Sequence, residues 1–222
     1  MAVALGVNVD WKPTFQVADI AASGAKWVRS ILRQPTDLTP VIQGCHDHDI
    51  KVLGLIVRES FQWQEHPTPA EIAAAVNHYV PLYDGKLDAW QVGNEPDQQG
   101  GASWRMPSGV LEQLLRGFRL ALPAAKIVGP GMASGQPYSY DTSLVDAEAV
   151  HPYVDPAQLA VSAPASGKPL WVTEFPWSAE MAWKLLAQLP RPLEVEERLL
   201  APRMVSTMYM HGRCDTAEYS DE

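Results

Sequence analysis

Residues 88–104 read DAWQVGNEPDQQGGASW. An apolar run from Ala89 to Val92 stops abruptly at Asn94-Glu95-Pro96 and then loosens into Gln, Gly and Ser. Short apolar runs of this kind, too brief for a helix and closed by turn residues, read as buried strands. The pattern recurs at VALGVNV (3–9), KWVRSIL (26–32), KVLGLIV (51–57), KIVGPG (126–131), AEAVHPY (147–153) and LWVTEF (170–175). Between several of these runs lie segments of helical period. In TFQVADIAASG (14–24), Val17, Ile20 and Ala21 share one face and Gly24 can close the C-terminus. Thr68-Pro69-Ala70-Glu71 is a capping box with proline at the first helical position, opening a helix that runs to Tyr83. In GVLEQLLRGFRLAL (109–122), Leu111, Leu114, Leu115 and Phe118 line one side. Strands alternating with helices imply parallel pairing through right-handed crossovers.

The last fifty residues carry two readings. Val195, Leu199, Met204, Val205, Met208 and Tyr209 fit a helical face with Pro202 as a kink and Gly212 as the stop, leaving CDTAEYS (214–220) as an eighth strand. Alternatively RMVSTMYM (203–210) is that strand. The expectation is the helix. Either way the fold class is α/β, a compact (β/α)8 TIM barrel with a reduced fifth helix and without its last helix, formed as one domain by residues 1–222. A doubly wound open sheet is the other candidate, but no GxGxxG follows the first strand.

Composition narrows the function. The chain is 46% hydrophobic and 19% charged, enough apolar material for a well-cored domain. Its formal net charge of -9 would repel a phosphate backbone or an anionic membrane surface, so neither nucleic acid nor membrane is expected as a partner. Cys45 and Cys214 stand far apart, with neither CxxC nor Cys/His ligand spacing, which signals neither a disulfide framework nor a zinc site. The start MAVALGVNVDW has no basic segment ahead of an apolar one, and no apolar run reaches the ~20 residues that span a bilayer. A soluble chain is expected, with a monomer as the default; trimmed secreted, phage-borne and cytosolic origins all stay open.

In such a barrel the functional groups sit at the C-terminal ends of the strands. Strand one ends in Asn8, Asp10 and Trp11, strand two carries Arg29, and strand three leads to Arg58, Glu59, Phe61 and Trp63. Strand four gives Asn94, Glu95 and, further on, Trp104; strand six gives His151-Pro152-Tyr153; strand seven gives Glu174 and then Trp177. Glutamates thus end strands four and seven, which lie across the barrel mouth from each other. Two carboxyl groups at about 5 to 5.5 Å suit hydrolysis of a glycosidic bond with retention, one protonating the leaving oxygen and the other attacking the anomeric carbon. Arg29 and Tyr153 are candidates to keep the attacking carboxylate ionised. Trp11, Trp63, Trp104 and Trp177 fall in strand-to-helix loops and offer flat apolar faces for sugar rings.

W-Q-V-G-N-E-P (90–96), V-H-P-Y (150–153) and W-V-T-E-F (171–175), in that order, resemble the retaining glycoside hydrolases of clan A, barrel enzymes with glutamates on strands four and seven. The resemblance implies Glu95 as acid/base and Glu174 as nucleophile. It further implies Asn94 contacting the sugar 2-hydroxyl, Arg29 and Tyr153 supporting the nucleophile, and His151 lining the subsite. The expected substrate is a β-linked oligo- or polysaccharide cut internally, with no metal and no organic cofactor. Two other readings stand beside it. A degenerate barrel could hold glycan without cutting it, as part of a phage or cell-wall assembly. A metal-dependent barrel hydrolase is less encouraged, since no His-x-His ends a strand. Blander readings exist for single residues. Glu95 could be a helix N-terminal acid, Glu174 a structural partner of an arginine, and any loop tryptophan mere packing. His46 and His48 in CHDHD precede strand three and read as a solvated helix end on the face opposite the mouth.

Overall fold

In the computed structural model, the described residues are 6–9, 17–22, 24–57, 60, 67–98, 106–133, 138–151, 166–175 and 200–202. Eight parallel strands form one sheet in chain order: β1 (Gly6–Val9), β2 (Trp27–Ile31), β3 (Lys51–Ile56), β4 (Ala89–Val92), β5 (Ile127–Met132), β6 (Ala147–Val150), β7 (Leu170–Phe175) and β8 (Leu200–Pro202). The Cα atoms of β8 approach those of β1 to within 8 Å, so the sheet curls round on itself. The fold is a compact (β/α)8 barrel; six of its strands fall inside the apolar runs read from the sequence, and β5 runs one residue past its own, to Met132.

Four helices are described: α1 (Val17–Ala22), α2 (Thr39–Asp47), α3 (Pro69–Tyr83) and α4 (Ser108–Ala121). Two of them carry the end signals read from the sequence. Gly24 sits at φ 78° just beyond α1, and its N–H donates to Ala21 O at 3.1 Å. Thr68 Oγ1 accepts from Glu71 N at 3.3 Å while Glu71 Oε2 accepts from Thr68 N at 2.7 Å, which completes the capping box of α3. Between β5 and β6 the described chain holds only a 3-10 turn, Thr142–Leu144, in keeping with a reduced fifth helix.

The eighth strand departs from expectation. The sequence reading runs a helix through Pro202; instead Leu200–Pro202 is a strand, paired to β7 through Val172↔Leu200 and Phe175↔Pro202, while the strands read at 214–220 and, in the alternative, at 203–210 fall outside the described residues. Three residues are too few to show a period of their own, so the helical spacing of the flanking apolar residues dominated the reading. Proline, which lacks the N–H a helix interior needs, is at home where a strand ends. Residues 203–222 lie outside the described residues.

Alternation along the strands builds two apolar layers. Outward-facing Val28, Val52, Ile56, Trp90, Val92 and Ile127 join the helix faces in one large core, with Trp90 against Phe118 of α4 at a ring separation of 5.8 Å. Inward-facing Trp27, Leu53, Ala89, Val128, Ala147, Ala149 and Trp171 fill the N-terminal half of the barrel, where Trp27 and Trp171 meet edge to face at 5.2 Å. His46, in the last turn of α2, pairs with Asp88 at 3.0 Å at the N-terminal end of β4, away from the mouth, as its solvated-end reading expects. Among the described residues, no helix is long and apolar enough to cross a membrane.

Candidate active site

Two residues further along the same strands the barrel interior turns polar. Arg29 on β2, only 4% exposed, is the hub of this layer. Its Nε donates to Gln91 Oε1 at 2.6 Å, Nη1 to Asn8 Oδ1 at 2.9 Å and to Glu174 Oε2 at 3.2 Å, and Nη2 to Asn94 Oδ1 at 2.6 Å. One planar fork thus ties β1, β4, the segment just beyond β4 and β7 to β2, a geometry that a lysine's single ammonium could not reproduce. Asn8 adds a bond from Nδ2 to the Thr173 carbonyl at 3.3 Å, linking β1 to β7, the strand on the far side of β8.

Glu95 reaches the mouth through irregular backbone. Gly93 takes φ 90° and Glu95 itself φ 48°, a left-handed conformation uncommon for a side-chain-bearing residue. The strain is held by Glu95 N donating to Gly131 O at 2.8 Å and by the bridge between Asn94 and Gly131. Asn94 and Glu95 therefore both serve the site, which strict alternation would forbid. Strand β7 solves the same problem with a bulge: between Val172 and Phe175 it takes three residue steps where β8 takes two, from Leu200 to Pro202. Thr173 and Glu174 both turn toward the interior as a result.

The two glutamates flank His151, which is fully buried at the end of β6. His151 Nδ1 lies 2.9 Å from Glu95 Oε1 and 3.8 Å from Glu174 Oε2, and its Nε2 lies 3.0 Å from Thr173 Oγ1. One carboxylate oxygen from each glutamate and a His151 nitrogen all fall within 4.8 Å of one another. Gln98 donates to the other oxygen of Glu95. The ring fits because Gly131 has no side chain; a Cβ there would land on the imidazole. Three groups so close could in principle ligate a cation, but the Arg29 guanidinium, 3.2 Å from Glu174 Oε2, opposes a second positive charge there.

Of the residues singled out from the sequence, Arg29, Asn94, Glu95, His151 and Glu174 converge in this cluster. Trp11, Trp63, Trp104, Tyr153 and Trp177 lie outside the described residues. The sequence reading missed Gln91, Thr173 and Gln98. Gln91 and Thr173 are wholly buried polar residues inside apolar runs, and that mismatch was the available signal. Gln98 carries no such mark.

Comparison with protein-family models and with curated proteins returns no match. Solved structures do resemble the chain. The catalytic domain of a mannanase from Streptomyces sp. SirexAA-E aligns with 90% of this chain and 74% of its own at TM-score 0.61 and 21% identity. An endo-beta-1,3-glucanase from Sorangium cellulosum aligns with 89% of this chain and 87% of its own at TM-score 0.53 and 13% identity. A glucosidase from Croceicoccus marinus aligns with 79% of this chain at TM-score 0.54 and 13% identity, and this chain spans 56% of that glucosidase's length. At such identities the shared property is the fold alone, the (β/α)8 barrel.

Proposed function

We propose that the protein is a retaining glycoside hydrolase acting within β-linked polysaccharides, with Glu174 as nucleophile and Glu95 as general acid/base. The observation that carries this reading is the pairing of the two glutamates, whose nearest oxygens lie within 4.8 Å across the mouth. Retaining enzymes hold their carboxyl groups at ~5–5.5 Å, while inverting ones need roughly 6.5–9.5 Å to admit a water. The roles follow from the partners. Glu174 faces the Arg29 guanidinium directly, which favours the ionised form a nucleophile needs. Glu95 meets the amide of Gln98 and the ring of His151 instead.

A β-linked sugar enters with its anomeric carbon over Glu174 and its glycosidic oxygen at Glu95. Glu174 attacks the anomeric carbon as Glu95 gives its proton to the leaving oxygen, forming a glycosyl ester. Glu95 then takes a proton from water, which attacks the anomeric carbon from the opposite side, breaks its bond to Glu174, frees that carboxylate and restores the starting anomer. Asn94 fits a substrate contact: its Oδ1 is held by Arg29, and its Nδ2 has no protein partner among the described residues, so it can donate to a sugar hydroxyl. Residues 1–222 act here as one domain, with the loop tryptophans as stacking platforms.

Proton NMR of fresh product tests the stereochemistry. The β-anomer is expected first; initial release of the α-anomer contradicts double displacement. One observation favours a second reading, a barrel that binds glycan without cutting it. Both oxygens of Glu95 are already bonded within the protein, and its side chain is only 8% exposed. Heat of glycan binding by calorimetry without new reducing ends would support that alternative.

A further inference from the structure

The described hydrogen bonds run from Arg29 to Glu95 through three residues that the proposed mechanism does not use. Arginine can only donate, so the bond from Arg29 Nε fixes Oε1 of Gln91 as the acceptor and fixes the orientation of the amide. The Gln91 Nε2 group must then donate, and its two hydrogens go to Gly129 O and to Thr173 Oγ1, both at 3.2 Å. Thr173 Oγ1, having accepted from Gln91, keeps its own hydroxyl hydrogen. Its neighbour at 3.0 Å is His151 Nε2. If the hydroxyl donates there, Nε2 is the unprotonated nitrogen and Nδ1 carries the hydrogen, pointing at Glu95 Oε1 2.9 Å away.

The geometry points to Gln91 and Thr173 as positioning residues for the acid/base carboxylate: they set His151 in the tautomer whose Nδ1–H donates to Glu95. The inference rests on the glycosidase reading for its purpose, though not for its proton positions. Every bond in the series, Arg29 to Gln91 to Thr173 to His151 to Glu95, then donates in the same direction, and aligned bonds of this kind polarise one another. One cation serves both carboxylates in different ways. Glu174 feels the guanidinium directly at 3.2 Å, and Glu95 receives a neutral donor at the end of a relay. When Glu95 has given its proton to the leaving oxygen, the Nδ1–H bond holds the carboxylate that remains. Thr173 and Gln91 are both completely buried, so neither touches substrate; they act through His151.

A long-range proton–nitrogen correlation spectrum of the uniformly nitrogen-15-labelled full chain, without substrate, reads the ring directly. The His151 signals are assigned by their loss in His151→Gln. The expected result is a hydrogen on Nδ1 and none on Nε2. Thr173→Val should move the Nε2 resonance toward that of an unbonded nitrogen and lower kcat/KM about tenfold, the upper range of what one hydrogen bond between neutral groups contributes. Thr173→Ser should restore both. A hydrogen on Nε2 overturns the inference, as does unchanged turnover in a folded Thr173→Val protein. A protein with the Nδ1 hydrogen that releases no sugar from any glycan would fail the glycosidase reading alone and leave the relay standing.

Discussion

The lower and upper halves of the barrel interior are built by the same strands and differ by two residues of register. Trp27 lies below Arg29 on β2, Ala89 below Gln91 on β4, Ala149 below His151 at the end of β6, and Trp171 below Thr173 on β7. The lower layer is apolar and closed by an edge-to-face tryptophan pair. In the upper one each polar group shown is bonded to a neighbour, around a guanidinium that is 4% exposed. The lower half stabilises the barrel by removing apolar area from water. The upper half contributes little by that route, because burying charges costs about what their pairing returns. What it holds instead is two carboxylates at a separation that chemistry can use.

That contrast can be broken from either side. The largest effect is expected for Glu95→Ala. Turnover on a susceptible polysaccharide should fall roughly 10^3-fold for lack of acid/base help, and a small anion such as azide should restore part of it by intercepting the glycosyl ester. A variant retaining most of its activity would remove Glu95 from its role. Trp171→Ala probes the opposite half. It should cost about 3–5 kcal/mol of stability by denaturant melting while kcat in the folded fraction changes little; a large loss of kcat at full folding would show that the two layers are not separable.

Gly131→Ala sits at their boundary. The new methyl must displace the His151 ring, so kcat/KM should fall about 10- to 100-fold together with a stability loss of ~1–3 kcal/mol. Unchanged activity would mean that the ring's position does not matter. The smallest effect lies outside the barrel, at Cys45 on the buried face of α2. Burial, reinforced by the Asp88 carboxylate, pushes its thiol up to about 12 from 9.0. The folded pKa is raised, so the neutral thiol's stability contribution is complete at neutral pH and is lost as pH rises from about 9 to 12. In a Cys214→Ser background, labelling by a thiol reagent at pH 8 should be no faster than unfolding; rapid labelling would contradict this environment.

The fold was legible because parallel strands buried on both faces read as continuous apolar runs. Capping chemistry at Thr68 and Gly24 marked two helix ends correctly. The eighth strand was not legible: three residues ending in proline carry no period, and the flanking leucines and methionines suggested a helix. At the site, Arg29, Glu95 and Glu174 stood out as charged residues in or at the ends of apolar runs. How Asn94 with Glu95, and Thr173 with Glu174, come to face the same mouth could not be read from alternation. It depends on the left-handed φ of Glu95 and on the bulge in β7, both properties of tertiary pairing. Gln91 and Thr173 were passed over because a lone polar residue in a strand gives no hint of which face it takes until the register is known.

The most direct test of the account is reducing-end release by the purified protein over a panel of β-linked polysaccharides, with Glu174→Ala run beside it. Release by the wild type on at least one glucan, mannan, xylan or galactan, falling by roughly 10^4-fold in Glu174→Ala, is the predicted result. Equal release by both proteins would contradict the role of Glu174. Release by neither would contradict the glycosidase itself.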